Sequence, residues 1–214
     1  MIGLAGLRRV VACALALLAA AVLLEAGGAI AAEPNYPAQI SLSTTVDAYV
    51  VGDSLTAGAV AAGFVWMSAR AGQGTLVDAQ KGRHITEGVT ALGHLKYYGY
   101  LPRVVIIALG TNDSTASMTP EAFRAQLDRA MVWCGPRKCI FMDLWRTDER
   151  AGAARALNAE IYALPARSPN ASYVRWSVYA AQHPEWMQAD GVHYTAAGYD
   201  FRARYMVNIV TGAI

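Results

Sequence analysis

The sequence predicts an α/β protein built on a parallel β-sheet with helices on both faces. Three observations carry this. Strand-like segments at 47–51, 75–79, 103–109, 139–144 and 172–176 alternate with stretches whose apolar residues recur at helical spacing. The run Val104-Val105-Ile106-Ile107-Ala108-Leu109 is continuously apolar and rich in β-branched residues, as a strand covered on both faces must be. The first three strand candidates each end in small and polar residues: Gly52-Asp53-Ser54, Gln80-Lys81-Gly82-Arg83 and Gly110-Thr111-Asn112-Asp113.

The helical stretches have their own logic. Ile85, Val89 and Leu92 fall on one helical face, with Lys96 continuing the spacing. Phe123, Leu127, Ala130 and Met131 form a cleaner stripe, with Thr119 placed to cap it and Pro120 at its first position. Leu157, Ile161 and Leu164 make a third. Tyr199, Ala203, Met206 and Val210 make a fourth, with Thr195 as its cap. In such sheets ligands bind beyond the carboxyl ends of the strands, so the residues just after each strand are the informative ones.

The chain has 214 residues, which suits one domain with a sizeable core. Its formal net charge is +2, its charged fraction is 16%, and it has no lysine/arginine run, so nothing favours a nucleic-acid partner. Residues 1–31 have the form of a secretory signal peptide: Arg8 and Arg9, an apolar run from Val10 to Leu24, and Ala29-Ile30-Ala31 as a small-x-small cleavage site. An uncleaved anchor is the alternative, although the run is shorter than the roughly 20 apolar residues of a span. Residues 32–44 read as an extended leader, and 45–214 as the domain. The expected protein is secreted or extracytoplasmic, monomeric, and in contact with membrane only through the signal segment. Cys134 and Cys139 flank Gly135-Pro136-Arg137-Lys138; in an exported protein a disulfide stapling that turn is expected, with two free thiols as the alternative. No ligand set for a metal accompanies them.

The residues after the strands have a common chemistry. A serine hydroxyl attacks an acyl group only when a base takes its proton, and histidine suits that near neutral pH. The histidine in turn needs an acceptor on its other ring nitrogen. Asp190 and His193 are three residues apart, so one turn of chain can join them. Backbone N–H groups of Ser54 and Gly82 and the side-chain amide of Asn112 would supply three donors for an oxyanion. Each residue also has a plainer reading: Ser54 as a helix cap, Gly82 as the end of a strand, Asn112 as a turn residue. Gly-x-Ser-x-Gly, the elbow of another hydrolase class, is ruled out by Thr56.

Gly52-Asp53-Ser54-Leu55, Gly82, Gly110-Thr111-Asn112-Asp113 and Asp190-x-x-His193 together resemble the SGNH (GDSL-type) hydrolase family, in the right order and across nearly the whole mature chain. The resemblance implies a flavodoxin-like three-layer α/β/α sandwich and cofactor-free ester hydrolysis. It also implies Ser54 as nucleophile, His193 as base, Asp190 as its orienter, and Ser54, Gly82 and Asn112 as oxyanion donors. The stretches 78–83 and 190–195 look like the extracytoplasmic SGNH domains of peptidoglycan O-acetyltransferases. The multi-span acyltransferase region of those proteins has no counterpart here.

The expected function is therefore a secreted serine esterase acting on short acyl esters of carbohydrate or cell-wall material. The rivals are an O-acyltransferase with a sugar acceptor, a lipid esterase, and a silent binding module on the same scaffold. Arg83, Trp145 and Arg146 follow strand ends and are candidate substrate contacts, with packing and salt bridging as the alternative; the charged stretch 146–150 also reads as a solvated face. His84, His94 and His183 lack a carboxylate at the spacing His193 has.

Overall fold

The computed structural model describes residues 46–100, 102–115 and 117–212. The signal segment 1–31 and the leader 32–44 lie outside the described residues. Among those described, no helix is long and apolar enough to cross a membrane.

Five parallel strands form one sheet: β1 Ala48–Gly52, β2 Thr75–Ala79, β3 Val104–Ala108, β4 Lys138–Met142 and β5 Ala171–Val174. Their order is β2-β1-β3-β4-β5, the flavodoxin-like arrangement expected from the sequence. Helices α1 (Ser54–Ala61), α2 (Phe64–Arg70), α3 (Ile85–Tyr97), α4 (Pro120–Cys134), α5 (Ala151–Ala163), α6 (Trp176–Gln182) and α7 (Ala196–Thr211) complete the alternation.

Side chains of a strand alternate between faces, and the core divides accordingly. Val50, Ile106, Ile140 and Val174 face Leu55, Phe64, Trp176, Met206 and Ile209, which come from α1, α2, α6 and α7. Tyr49, Val51, Val105, Ile107 and Phe141 face Ile85, Leu92, Phe123, Leu127, Leu157 and Ile161, from α3, α4 and α5. Both faces are dry, which is why the β3 run is apolar without interruption. The caps act as the sequence predicts: Thr119 Oγ1 accepts from Ala122 N at 3.2 Å, and Thr195 caps α7.

One boundary differs. The last strand is expected over 172–176 but ends at Val174, and Trp176 opens α6. The indole of Trp176 is buried and donates to the Tyr194 hydroxyl at 2.6 Å. That tertiary bond outweighs the strand propensity of an aromatic residue.

Cys134, the last residue of α4, is bonded to Cys139 of β4, as expected, and both are fully buried. The link closes the α4–β4 turn. In the chain-entropy view a loop this short contributes about 2 kcal/mol. Replacing both cysteines by serine is expected to lower the thermal midpoint of the oxidised full chain by roughly 4–8 °C. Circular dichroism melts check this, and an unchanged midpoint would remove the disulfide from the stability account.

Candidate active site

Strand pairing places three of the loops side by side. Gly52 is in register with Ala79 on one side and Ala108 on the other, so 53–54, 80–83 and 109–113 leave the same edge of the sheet. In the first loop β1 runs into α1 with one residue between them. That residue, Asp53, is the helix cap: its Oδ1 accepts from Leu55 N at 3.0 Å. The capping role open to Ser54 is thus filled by its neighbour. Burial raises the Asp53 carboxyl pKa, opposed by Arg202 and the Leu55 N–H. Ser54 is the first residue of α1, where an N–H has no carbonyl within the helix to bond. Gly52 is required sterically, since a methyl group there would overlap the Thr56 side chain.

The second loop is a turn closed by Arg83 N to Gln80 O at 3.2 Å, with Gly82 at φ +73°. A Cβ at Gly82 would meet nothing within 4 Å, so the backbone angle is the constraint and the space above it is open. Arg83, considered as a substrate contact, is buried. Its guanidinium pairs with Asp78 Oδ1 at 2.7 Å and donates to Asp78 O at 2.8 Å. This is the salt-bridging alternative.

The third loop is tied to the second. Asn112 Nδ2 donates to Arg83 O at 3.0 Å, which spends one of its two N–H groups and leaves the other. Buried Asp113 accepts from Ile85 N at 2.9 Å and contacts His84 Nδ1 at 3.1 Å, pinning the start of α3. Asp113 and His84 are therefore scaffold.

The fourth loop precedes α7. Asp190 Oδ1 accepts from the N–H groups of Val192 and His193, both at 2.9 Å, and Oδ2 lies 2.7 Å from His193 Nδ1. With Nδ1–H donating to Asp190, His193 Nε2 is left to accept from the Ser54 hydroxyl, 3.1 Å away. Burial pushes the Asp190 pKa up, but the hydrogen bonds from His193 and Val192 outweigh it and hold the value at about 2. Asp190 therefore stays an acceptor at any ordinary pH.

Arg146 follows a strand end, where the sequence suggests a substrate contact or a solvated charged face. The structure makes it a junction. Its side chain is buried; Nη1 donates to Thr111 O at 2.8 Å, Nε to Asp148 Oδ1 at 2.6 Å, and Nη2 to Asp148 Oδ2. The next residue, Thr147, donates N–H to Gly191 O at 2.8 Å. Gly191, at φ +67°, has no room for a side chain because the Asp148 backbone N lies 2.8 Å from where its Cβ would stand. The β4–α5 loop thus joins the Asn112 loop to the Asp190–His193 loop. Trp145 is half-buried on the α1/α7 face of the core and lines a cleft beside this junction.

A flavodoxin-like sheet carrying these motifs at one edge is the SGNH hydrolase architecture. The GDSL-like lipase/acylhydrolase family model matches residues 50–201, and the chain belongs to that family of carboxylic ester hydrolases. Three solved structures share the fold. One is the C-terminal catalytic domain of Streptococcus pneumoniae peptidoglycan O-acetyltransferase A, at 20% identity and TM-score 0.65, covering 82% of this chain and 96% of that one. A lipase/acylhydrolase from Enterococcus faecalis is 22% identical at TM-score 0.66, covering 78% and 97%. The psychrotrophic esterase EstA from Pseudoalteromonas sp. is 14% identical at TM-score 0.65, covering 78% and 98%. No sequence among curated proteins matches the chain.

Two outcomes are expected. Gly52→Ala destabilises the fold by about 1–3 kcal/mol through overpacking against Thr56, read in urea unfolding. Arg146→Met removes the guanidinium from Thr111 O and from Asp148, which keeps only the Arg150 N–H, for a loss of about 1–3 kcal/mol at neutral pH. The hydrogen bond from Arg146 lowers the Asp148 pKa, so that contribution is present above the usual carboxylate range and lost as pH falls through the depressed value. The gap between wild type and Arg146→Met therefore narrows in strong acid. A gap independent of pH would show that the pair contributes no linkage.

Proposed function

We propose that this protein is an exported serine esterase that hydrolyses short acyl esters of carbohydrate or cell-wall material. The carrying observation is the relay of Ser54 Oγ, His193 Nε2, His193 Nδ1 and Asp190 Oδ2, with contacts of 3.1 and 2.7 Å.

In this reading Ser54 Oγ attacks the ester carbonyl carbon as its proton passes to His193 Nε2. Asp190 stabilises the imidazolium without taking a proton, which suits a carboxyl held at about 2. The oxyanion is met by Ser54 N–H, Gly82 N–H and the remaining N–H of Asn112. The tetrahedral intermediate collapses, the C–O bond to the alcohol breaks, and the alcohol leaves with the proton from Nε2. Water then attacks the acyl-enzyme, Nε2 takes its proton, and the carboxylic acid departs as Ser54 regains its hydrogen. The reaction requires no cofactor. Export is supported by the signal-like residues 1–31 and by the disulfide.

A second reading, transfer of the acyl group to a sugar hydroxyl in place of water, is favoured by the fold likeness to a peptidoglycan O-acetyltransferase domain. The two share every step up to the acyl-enzyme. Product analysis with and without an added oligosaccharide separates them.

Labelling by a fluorophosphonate probe is expected for wild type and absent for Ser54→Ala. Equal labelling of both would overturn Ser54 as nucleophile. No labelling of wild type, where a control hydrolase reacts, would favour a silent binding module. Asp190→Asn is expected to lower kcat on p-nitrophenyl acetate by about 10³–10⁴-fold with little change in KM, because the imidazole loses its orienting acceptor.

A further inference from the structure

A cleft of about 320 Å³ opens between α5 and the carboxyl ends of β4 and β5. That is near the small end of the roughly 300–1,000 Å³ typical of ligand pockets. Its wall includes Leu144, Trp145 and Arg146, so it borders the junction that holds Thr111, the neighbour of Asn112, and Gly191. It is joined to two of the four loops that build the site indirectly, through Arg146 and Thr147.

The polarity of this cleft is mostly consumed by its own wall. Asn158 Oδ1 accepts from Leu144 N and its Nδ2 donates to Leu144 O, at 2.8 and 2.9 Å. Tyr162 and Ser177 both donate their hydroxyls to buried Asp143, which also takes Ser177 N–H. Arg146 is neutralised by Asp148. What remains are the indole N–H of Trp145, buried and without a hydrogen-bond partner, and two exposed arginines, Arg155 of α5 and Arg175 just before α6. Among the described residues neither has a carboxylate within ion-pair distance; Arg175 lies over the Tyr162 ring, its guanidinium carbon 5.5 Å from the centroid. A guanidinium carries five N–H donors, more than that contact and the neighbouring Tyr162 hydroxyl can occupy. The unspent hydrogen-bonding capacity of the cleft is thus cationic and donor-only, beside an apolar wall of Leu144, Trp145 and Ala154.

We propose that this cleft is a subsite for an anionic group, a carboxylate or a phosphate, carried by the alcohol part of the ester and held by Arg155 and Arg175. The inference rests on the esterase reading and narrows its substrate class to acyl esters of acidic sugars. A planar guanidinium pairs with carboxylate or phosphate through two parallel N–H bonds, and two of them across one cleft fix an acidic group in orientation. Trp145 and Leu144 offer an apolar surface to the ring that bears it.

The test compares three acetate esters with the full chain: an acetylated neutral oligosaccharide, an acetylated oligouronate and an acetylated sugar phosphate, with p-nitrophenyl acetate as control. Wild type is expected to favour at least one acidic ester over the neutral one by about tenfold or more in kcat/KM, mainly through KM, and to lose the preference in high salt. The two acidic substrates distinguish carboxylate from phosphate. In Arg155→Gln/Arg175→Gln the preference is expected to vanish, with p-nitrophenyl acetate turnover unchanged within about twofold. Both arginines are exposed, so the variant is expected to fold, and circular dichroism checks that. Equal kcat/KM for neutral and acidic esters in wild type, or a preference retained in the variant, would overturn the subsite and leave the esterase reading intact. Failure to hydrolyse any ester, p-nitrophenyl acetate included, would overturn the esterase reading and the subsite with it.

Discussion

The hydrogen bond between Ser54 and His193 spans 139 residues of sequence, and the fold must supply nearly all the order that makes it possible. Loop closure over that length is entropically unfavourable, and one bond to a partly exposed imidazole cannot offset it. The offset comes from the parallel sheet and its two dry faces. Because Gly52 is in register with Ala79 and Ala108, the carboxyl ends of β1, β2 and β3 are adjacent by construction. The serine, the Gly82 turn and the Asn112 loop have no freedom to separate while those strands stay paired. The histidine arrives differently. Its loop is the lead-in to α7, which packs on α1 and α2, and an isolated bridge pairs Met187 with Tyr194 just beside it.

Those two routes to the site, strand register and helix packing, need a link that keeps them in phase. The β4–α5 loop provides one. Arg146 holds Thr111 O on one side, and Thr147 holds Gly191 O on the other. A cation buried beside its own carboxylate can donate a third hydrogen bond without leaving a charge unpaired, so the junction keeps its geometry at little electrostatic cost. An apolar residue at 146 would fill the space but could not reach across to a backbone carbonyl.

How much of this the sequence discloses depends on how local each determinant is. The strands and stripes were legible because a doubly covered sheet writes uninterrupted apolar runs, as in 104–109, and because Thr119-Pro120 states a helix start in two residues. The β5–α6 boundary was not, because the Trp176 to Tyr194 bond joins residues 18 apart and reverses what an aromatic residue suggests locally. The cap of α1 was legible only as a residue type: the sequence suggests Ser54, whereas in the fold the Leu55 N–H goes to Asp53, one residue earlier. The residue types at Ser54, Gly82, Asn112, Asp190 and His193 were readable as a pattern in order. That Asn112 leans on Arg83 O, and that Arg83 turns inward to Asp78, was not readable, since both depend on a loop contact across 29 residues or on burial. Arg146 carried no signal beyond its place after a strand, because its partners are the Thr111 carbonyl, 35 residues away, and the Asp148 carboxylate rather than a motif.

The exposure of the relay bears on what can reach it. The side chains of His193 and Asp190 are 33% and 46% exposed, whereas Ser54 is buried against the start of α1. In the proposed reaction, a nucleophile at the base of a rim whose base and orienter face solvent is open to the end or side of a large substrate, and equally open to water. Such a site gains little selectivity from enclosure, because little of the substrate is desolvated around the reacting carbon. Selectivity then has to come from contacts outside the reacting centre, where binding energy from remote parts of the substrate orients the ester. Among the described residues, the edge of the sheet beyond β4 is one place with polar capacity that the fold does not consume. A solvent-open relay and an unsatisfied cationic cleft two strands away follow from the same economy: the loops that hold the reacting groups are spent on one another, and recognition is left to the flank.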